Sequence, residues 1–291
     1  DIGDYHIYVQ QKAHCYTVSH NGKYAALIGH AFDPFTSMLN ETDILTECLI
    51  SYEEGYSSFF EVINRITGVF VVLVSEGAKL LAVQDCTGMQ MLYYGEIEGS
   101  LWLSSAPQLL GDICHLDRNP QVLQLLNGHS YYLGSRYLPG DLSPYSELRR
   151  LGANLFLEYN NSFTLKRFFP VTPRPIYSNK EQKETAIEEI YTVFRRNIEM
   201  ILEKWKHPAL SLSGGVDSKT TLACANGLYD KIMCYSFASK PSEKLDADAA
   251  AQICKNLGIP HRYYTIPEDP SEIRDYDFLS KLIDHNTSYL M

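Results

Sequence analysis

The residues best suited to chemistry stand together at 209–218, Ala-Leu-Ser-Leu-Ser-Gly-Gly-Val-Asp-Ser. The apolar run Ala209–Leu212 reads as the end of a buried strand, and a helical pattern follows from Lys219. Between them lie Gly214 and Gly215, flanked by Ser213 and Ser218, with Val216 and Asp217 inside. Glycines let backbone N–H groups converge on an anion with no Cβ in the way. A helix start aims the positive end of its dipole at the same point. Ser213 and Ser218 add hydroxyl donors, and Asp217 offers the oxygen ligand that a magnesium ion demands. The chemistry that fits is capture of a phosphate or pyrophosphate group. The bland alternative is an ordinary βα turn with a glycine C-cap and a serine N-cap, and the short string alone leaves the two balanced. The Walker pattern Gly-x-x-x-x-Gly-Lys-Ser/Thr is excluded, because the two glycines are adjacent and Lys219 follows Ser218.

The elements around the string favour the cradle. A long helix is predicted over Lys180–Trp205, with an apolar face of Ile187, Ile190, Val193, Phe194, Ile198, Ile201, Leu202 and Trp205. After the loop come a helix over Lys219–Leu228, a buried strand over Ile232–Phe237 and a helix over Asp246–Leu257, closed by Gly258 as C-cap. A third strand is predicted at His261–Ile266 and a further helix at Ile273–Asp284. Such alternation gives a parallel sheet with right-handed crossovers. Ligands of such sheets sit at the carboxyl ends of the strands, where Ser213–Ser218 and the neighbouring Ala238–Ser239 fall.

The first part of the chain has another rhythm. Strands are predicted at Tyr5–Val9, Cys15–Val18 and Tyr24–Gly29, the last two joined by the hairpin signal Asn21-Gly22. Helical spacing follows at Thr42–Tyr52 and Phe59–Ile66. Then come strands at Gly68–Val74, Lys79–Gln84, Met91–Tyr94 and Leu101–Ser104, short helices at Pro107–Leu110 and Pro120–Leu126, and an irregular stretch over 127–147. A hairpin at Leu155–Tyr159 and Phe163–Phe168 precedes the cluster Pro170, Pro173 and Pro175, the best boundary in the chain. Two domains are therefore expected, over 1–170 and 171–291. The first is an α+β sandwich of two antiparallel sheets with helices outside.

The 291 residues and 45% hydrophobic content allow two real cores. A net charge of −10 argues against nucleic acid or an anionic membrane as the main partner. No apolar run reaches the ~20 residues of a membrane span, and no basic and apolar leader is visible at Asp1-Ile2-Gly3-Asp4. The seven cysteines are odd in number, scattered and without a Cys-x-x-Cys pair, which fits a reducing cytoplasm. Cys114-His115 is too isolated to make a zinc site.

The string Ser213-Gly214-Gly215-Val216-Asp217-Ser218 resembles the pyrophosphate loop of N-type ATP pyrophosphatases, and the order of parts resembles the glutamine-hydrolysing asparagine synthetase family. Gln84-Asp85-Cys86-Thr87-Gly88 through Leu92-Tyr93-Tyr94-Gly95 is similar to that family's Arg-Asp-x-x-Gly-x-x-Pro-Leu-Tyr-Tyr-Gly. Thr67-Gly68-Val69-Phe70 resembles its Gly-x-Phe-Ala strand, and Leu103-Ser104-Ser105-Ala106 its Ala-Ser-Glu. Tyr235-Ser236-Phe237, Asp246, Ala250, Leu257-Gly258 and His261 match its later spacing. The resemblance implies an Ntn glutaminase-like domain followed by an α/β parallel-sheet ATP pyrophosphatase domain of the adenine nucleotide alpha hydrolase-like kind. It implies ATP and Mg2+ as cofactors, with Leu212, Ser213, Gly214, Gly215, Val216, Asp217, Ser218 and Ser239 binding the nucleotide and Asp217 the metal.

The departures shape the expected activity. The family's glutaminase needs a cysteine as the first residue of the mature chain, since its own α-amine activates the thiol. Position 1 is Asp1 and the earliest cysteine, Cys15, is internal. The glutamine-holding Asn-Gly-Glu falls near Ile28-Gly29-His30, which lacks the carboxylate, and His30 is expected to be a solvated strand-end residue. Gln84 and Ala106 stand where the family has arginine and glutamate. Loss of glutamine hydrolysis is the expectation. The family's second Gly-rich acidic motif and its catalytic lysine are not found up to Met291, so no catalytic residue is assigned. An incomplete chain, or a partner covering the sheet edge, is expected, with a homodimer kept open.

The leading function is an ATP-dependent amide-forming ligase that adenylates a small-molecule carboxylate, releases pyrophosphate and joins the acyl group to an amine. Asp246 is expected to act mainly as a first-turn acid of its own helix. The alternatives are an intramolecular amide ligase, like β-lactam synthetase or the lasso-peptide cyclases, and a non-catalytic nucleotide-binding relative.

Overall fold

The computed structural model describes residues 1–129, 131, 138–170 and 175–286. The irregular stretch expected over 127–147 lies partly outside them. The chain forms two compact units. One comprises Asp1–Asp33, Asn40–Arg174 and Asp277–Met291, and the other Pro34–Leu39 and Pro175–Tyr276.

In the first unit, β1 (Cys15–His20), β2 (Lys23–Phe32), β3 (Thr67–Glu76) and β4 (Lys79–Gln84) pair antiparallel in sequence order. The loop between β1 and β2 is the expected tight turn, with Asn21 and Gly22 both at positive φ. A second antiparallel sheet has β5 (Tyr93–Ile97) between β6 (Ser100–Ser104) and β7 (Arg149–Arg150). The large sheet is completed beyond β4 by β8 (Leu155–Tyr159) and β9 (Phe163–Arg167). Four helices belong to this unit among the described residues before residue 150: α1 (Glu41–Glu54), α2 (Tyr56–Arg65), α3 (Pro107–Ile113) and α4 (Pro120–Leu126).

The continuous burial of Phe70–Ser75 in β3 follows from cover on both faces of the large sheet. On one face Val71, Leu73, Leu80, Ala82 and Leu157 join Leu92, Tyr94 and Leu151 in a single apolar cluster. On the helix-bearing side, α1 buries Ile44, Leu45, Cys48, Leu49 and Tyr52, one stripe at helical spacing. Asn40 starts that helix by accepting from the N–H groups of Thr42 and Asp43. From α2, Phe60 packs on Phe156 with ring centroids 4.6 Å apart.

Two glycines explain a motif noticed in the sequence. Gly29 and Gly68 have φ of 111° and 152° on neighbouring strands, and each backbone occupies the space of the other's missing side chain. A Cβ on Gly68 would lie 2.0 Å from the His30 carbonyl oxygen, and one on Gly29 would lie 2.2 Å from that of Val69. No strand forms over Tyr5–Val9, contrary to the alternation there. Only an isolated bridge joins Ile2 to Tyr5, and Tyr8 is 89% exposed. Alternation without a neighbouring edge to pair with makes no strand.

The second unit opens with α5 (Lys180–Lys204), started by the Asn179 side chain. Its sheet is parallel, in the order β10 (Ala209–Ser211), β11 (Met233–Ala238), β12 (His261–Thr265). Between the strands run α6 (Val216–Cys224) and α7 (Pro241–Leu257). The next helix in the chain, α8 (Tyr276–Asn286), belongs to the first unit after its first residue. The core gathers Ile198, Leu212, Leu222, Cys234, Ala250, Cys254 and Ile259. Gly258 ends α7 in the left-handed conformation, as expected.

The apolar face foreseen for α5 is only half used. Ile198 is buried and Leu202 packs on the core, whereas Ile187, Ile190 and Phe194 are exposed by 63%, 66% and 38%. A helix of 25 residues is about 37 Å long, while strands of three to six residues span at most about 20 Å. The helix overruns the sheet it covers. All seven cysteines are unpaired thiols. No helix among the described residues is long and apolar enough to cross a membrane.

Candidate phosphate-binding site

The parallel sheet delivers the chain to the loop from β10. Leu212 is held on three sides. Its side chain is buried in the core, its N–H donates to the Tyr235 carbonyl at 2.9 Å, and its own carbonyl accepts from Ser236 Oγ at 2.7 Å. The turn then takes only three residues, Ser213, Gly214 and Gly215. The helix begins at Val216 rather than Lys219, with Gly215 as N-cap. Val216, Asp217 and Ser218 therefore form the first helical turn, and the N-cap is a glycine that supplies no side-chain hydrogen bond.

The two serines face each other across this turn. Ser213 Oγ and Ser218 Oγ are 3.0 Å apart. The Ser213 N–H donates to Ser218 Oγ at 3.1 Å, and the Gly215 N–H donates to Ser213 Oγ at 3.1 Å. Ser218 Oγ also lies 3.3 Å from the Ser213 carbonyl. Each hydroxyl has a single proton, so at most one of the two remains for an outside acceptor. The hydroxyls brace the loop more than they reach outward, which shifts the expected donor role onto the backbone. Among the described residues, no protein acceptor meets the N–H groups of Gly214, Val216, Asp217 or Ser218. Four unsatisfied donors at one helix start make a ready anion site.

Gly214 is closely approached by its neighbour. A Cβ there would stand 2.6 Å from Asp246 Oδ1 and 3.4 Å from the Ala249 Cβ. Asp246 was expected in a first helical turn. It lies a turn deeper, because α7 starts at Pro241 and not at Asp246. The missed start was written in the sequence as Pro241 at the first helical position with Glu243 two residues on. The Glu243 carboxylate accepts from the N–H groups of Ser239 at 2.8 Å and Lys240 at 3.2 Å. Those two bonds hold its pKa below the usual carboxylate range. Ser239 thus sits at the carboxyl end of β11 with its N–H engaged, and no described residue bonds its hydroxyl.

Both Asp217 and Asp246 are exposed, on α6 and α7 respectively, and no group of three or more metal-binding side chains occurs among the described residues. The donor chemistry nonetheless fits magnesium. Two carboxylates stand at or beside a glycine cradle whose remaining donors suit phosphate oxygens.

In the first unit, the positions that differ from the glutaminase pattern are built as packing. Gln84 is 1% exposed and donates to the Leu151 carbonyl at 3.0 Å. Ala106 is fully buried at the start of α3, its N–H bonded to Ser104 Oγ. Asp85 accepts from Thr87 N–H and Oγ1, Met89 N–H and Gln90 N–H, which makes it the organiser of the 85–90 turn. His30 is not a freely solvated residue. Its ring lies 4.4 Å from that of His14 and its Nδ1 is 3.4 Å from Glu41 Oε1.

No curated protein sequence matches the chain. Among the solved structures that overlap it are the following three. Glutamine phosphoribosylpyrophosphate amidotransferase from B. subtilis, complexed with ADP and GMP, is 13% identical at a TM-score of 0.33 and covers 84% of this chain and 47% of its own. Glutamine-dependent NAD+ synthetase from Acinetobacter baumannii, in complex with adenosine diphosphate, is 18% identical at 0.26, covering 48% and 24%. An allosteric regulatory enzyme of purine biosynthesis is 11% identical at 0.35, covering 94% and 70%. The chain spans about half the length of the first of these and about a quarter of the second. Overlaps this partial carry no assignment, which rests on sequence. The asparagine synthase family matches residues 189–285, a segment that holds the glycine loop, the helix behind it and all three parallel strands.

Proposed function

We propose that the second unit binds ATP as its magnesium complex and activates a carboxylate as an acyl-adenylate, which an amine then converts to an amide. The observation that carries this reading is the row of partnerless N–H groups at Gly214, Val216, Asp217 and Ser218, inside an asparagine synthase segment. In this scheme the substrate carboxylate attacks the α-phosphorus and the bond to the β-phosphate oxygen breaks. Pyrophosphate leaves into the loop, and the amine displaces AMP from the acyl carbon with loss of one proton. The four N–H groups hold the departing oxygens, and the Ser213–Ser218 brace keeps them aimed before the nucleotide arrives. Asp217 and, beside Gly214, Asp246 would hold magnesium, which when bound neutralises the charge of the triphosphate. Ser239 presents its hydroxyl to the nucleoside end, while Leu212, its side chain buried in the core, acts only through its backbone.

The first unit completes the proposal as an Ntn glutaminase-like sandwich of two antiparallel sheets that no longer hydrolyses glutamine. The domains then divide at about residue 170. Burial of uncharged Gln84 and Ala106 supports this, since the site has no charges there to hold an amino acid. It also favours ammonia or an amino group of the substrate as nucleophile, as in an intramolecular amide ligase. A cytoplasmic setting with reduced thiols suits this chemistry. ATP–pyrophosphate exchange tests the reading. Exchange that depends on an added carboxylate supports the ligase. MgATP binding without exchange across a broad panel of carboxylates leaves a nucleotide-binding protein, and no binding at all refutes the proposal. Incubation with glutamine should release no glutamate; steady release would overturn the inactive-glutaminase part.

A further inference from the structure

Ser236 is a buried polar residue in the middle of β11, 3% exposed, and no sequence motif gave it a task. Its Oγ lies 2.7 Å from the Leu212 carbonyl oxygen and 2.9 Å from His261 Nε2. A carbonyl oxygen only accepts, so the single hydroxyl proton goes to Leu212. Ser236 Oγ must then accept from His261, which fixes the proton of the neutral ring on Nε2. The three groups form a directed chain from β12 through β11 to the last residue before the loop.

The peptide unit at the end of that chain is shared. The Leu212 carbonyl and the Ser213 N–H belong to one planar group. Ser236 holds its oxygen from the core side, and Ser218 Oγ receives its N–H from the loop side at 3.1 Å. Two bonds on opposite edges fix the rotation of this plane, and the direction in which the backbone enters Gly214 follows from it. We propose that His261 and Ser236 are positioning residues, which orient the Leu212–Ser213 peptide and so preset the phosphate-binding N–H groups from a distance. This rests on the nucleotide reading above and adds to it a reason for a buried serine and a half-buried histidine outside the loop. Burial lowers the His261 pKa, in keeping with a neutral ring that serves as a hydrogen-bond donor.

The test uses the full chain, MgATP binding by calorimetry and a thermal melt on each variant. Ser236→Ala removes the link, and His261→Asn withdraws the donor because its amide sits at the place of Nδ1. His261→Gln puts an amide N–H where Nε2 was. A hydrogen bond of this kind is worth roughly tenfold in a binding constant. Ser236→Ala and His261→Asn should weaken MgATP binding about tenfold, and His261→Gln should recover most of it, with the second unit still folded in all three. Unchanged affinity in Ser236→Ala and His261→Asn overturns the inference while leaving the nucleotide site standing. Equal weakening by all three histidine and serine variants also overturns it, since space rather than the donor would then be the cause. No MgATP binding by the unaltered chain overturns the nucleotide reading and this inference together.

Discussion

Replacing Gly214 by alanine separates the loop's structural demand from its binding demand. The new Cβ would meet Asp246 Oδ1 at 2.6 Å, where ordinary contact begins at 3.4 Å. The obstacle is the end of a side chain, which can turn aside. Moving it off its rotamer costs about 0.5–1.5 kcal/mol. Gly214 is not among the positive-φ glycines, so alanine adds no backbone strain and returns about 0.4–1 kcal/mol by restricting the unfolded chain. The net change in stability should fall within about 1 kcal/mol, a shift of no more than ~8 °C in the melting temperature of a unit this size. Binding should respond differently. The added methyl group displaces the Asp246 carboxylate, which is proposed to help hold magnesium, and MgATP affinity should drop tenfold or more. Pairing the change with Asp246→Ala completes a cycle: the stability cost of Gly214→Ala should shrink by about 0.5–1 kcal/mol in that background. Calorimetric binding and thermal melts on the four proteins measure both effects. If Gly214→Ala binds MgATP as tightly as the parent while keeping its fold, the loop does not grip phosphate and the argument from its geometry is wrong.

Other consequences concern the first unit. Gly68→Ala forces a Cβ to 2.0 Å from a backbone oxygen that cannot swing away. With the strained φ added it should cost about 3 kcal/mol or more, read as a lost or strongly lowered melting transition. The Glu158 carboxylate takes a hydrogen bond from the Tyr56 hydroxyl and ion pairs from Lys79 and Lys166, which depress its pKa. A depressed carboxyl contributes stability that is complete above its ordinary value of 4.5 and is lost as pH falls through the folded value. Glu158→Gln should therefore flatten the fall in melting temperature below about pH 4.5; an unchanged acid slope would refute the assignment. Burial, and after it the same hydrogen bond, push the Tyr56 phenol up to about 12. Burial pushes the thiols of Cys48 and Cys234 up to about 12, whereas Cys86 is exposed. Brief maleimide labelling near neutral pH followed by mass spectrometry should find Cys86 modified and those two untouched until the protein is unfolded.

What could be read from the sequence divides along a physical line. Strands β3 and β4 were legible because their β-branched and aliphatic runs meet no competing period, and the β1–β2 turn because Asn21-Gly22 tolerates two positive φ values. Tyr5–Val9 misled because alternation reports a face to bury and not an edge to pair. The unused half of α5 was invisible for a similar reason: periodicity gives the direction of a stripe but not the length of the surface it meets. At the loop, residue types marked the strand–turn–helix junction but not how its side chains are engaged. Spacing alone cannot show that Ser213 and Ser218 turn toward each other, nor that Asp246 leans over Gly214 from thirty-two positions away. Ser236 and His261 were seen only as part of a spacing match, because nothing in a sequence records which carbonyl a buried hydroxyl faces.

An open helix start is weak evidence when taken alone. A glycine N-cap is only a few tenths of a kcal/mol worse than serine, so leaving α6 uncapped costs little. What gives the loop its weight is where the nearby hydroxyls went. Ser213 and Ser218 both lie within reach of this turn, and either could have served the first N–H groups of the helix; each is instead committed to the brace between them. The same commitment continues inward, where Ser236 holds the other edge of the Leu212–Ser213 peptide. The side chains thus stiffen the backbone while leaving its donors open. Water can satisfy such donors, but it does not need them held rigid. A rigid, converging set repays its ordering only when the ligand is an anion whose oxygens have a fixed geometry, because preorganised donors then avoid the reorganisation that free ones would undergo on binding. Phosphate groups have that geometry, and on the proposed reading the preorganisation, rather than the glycines by themselves, is what this turn contributes to binding them.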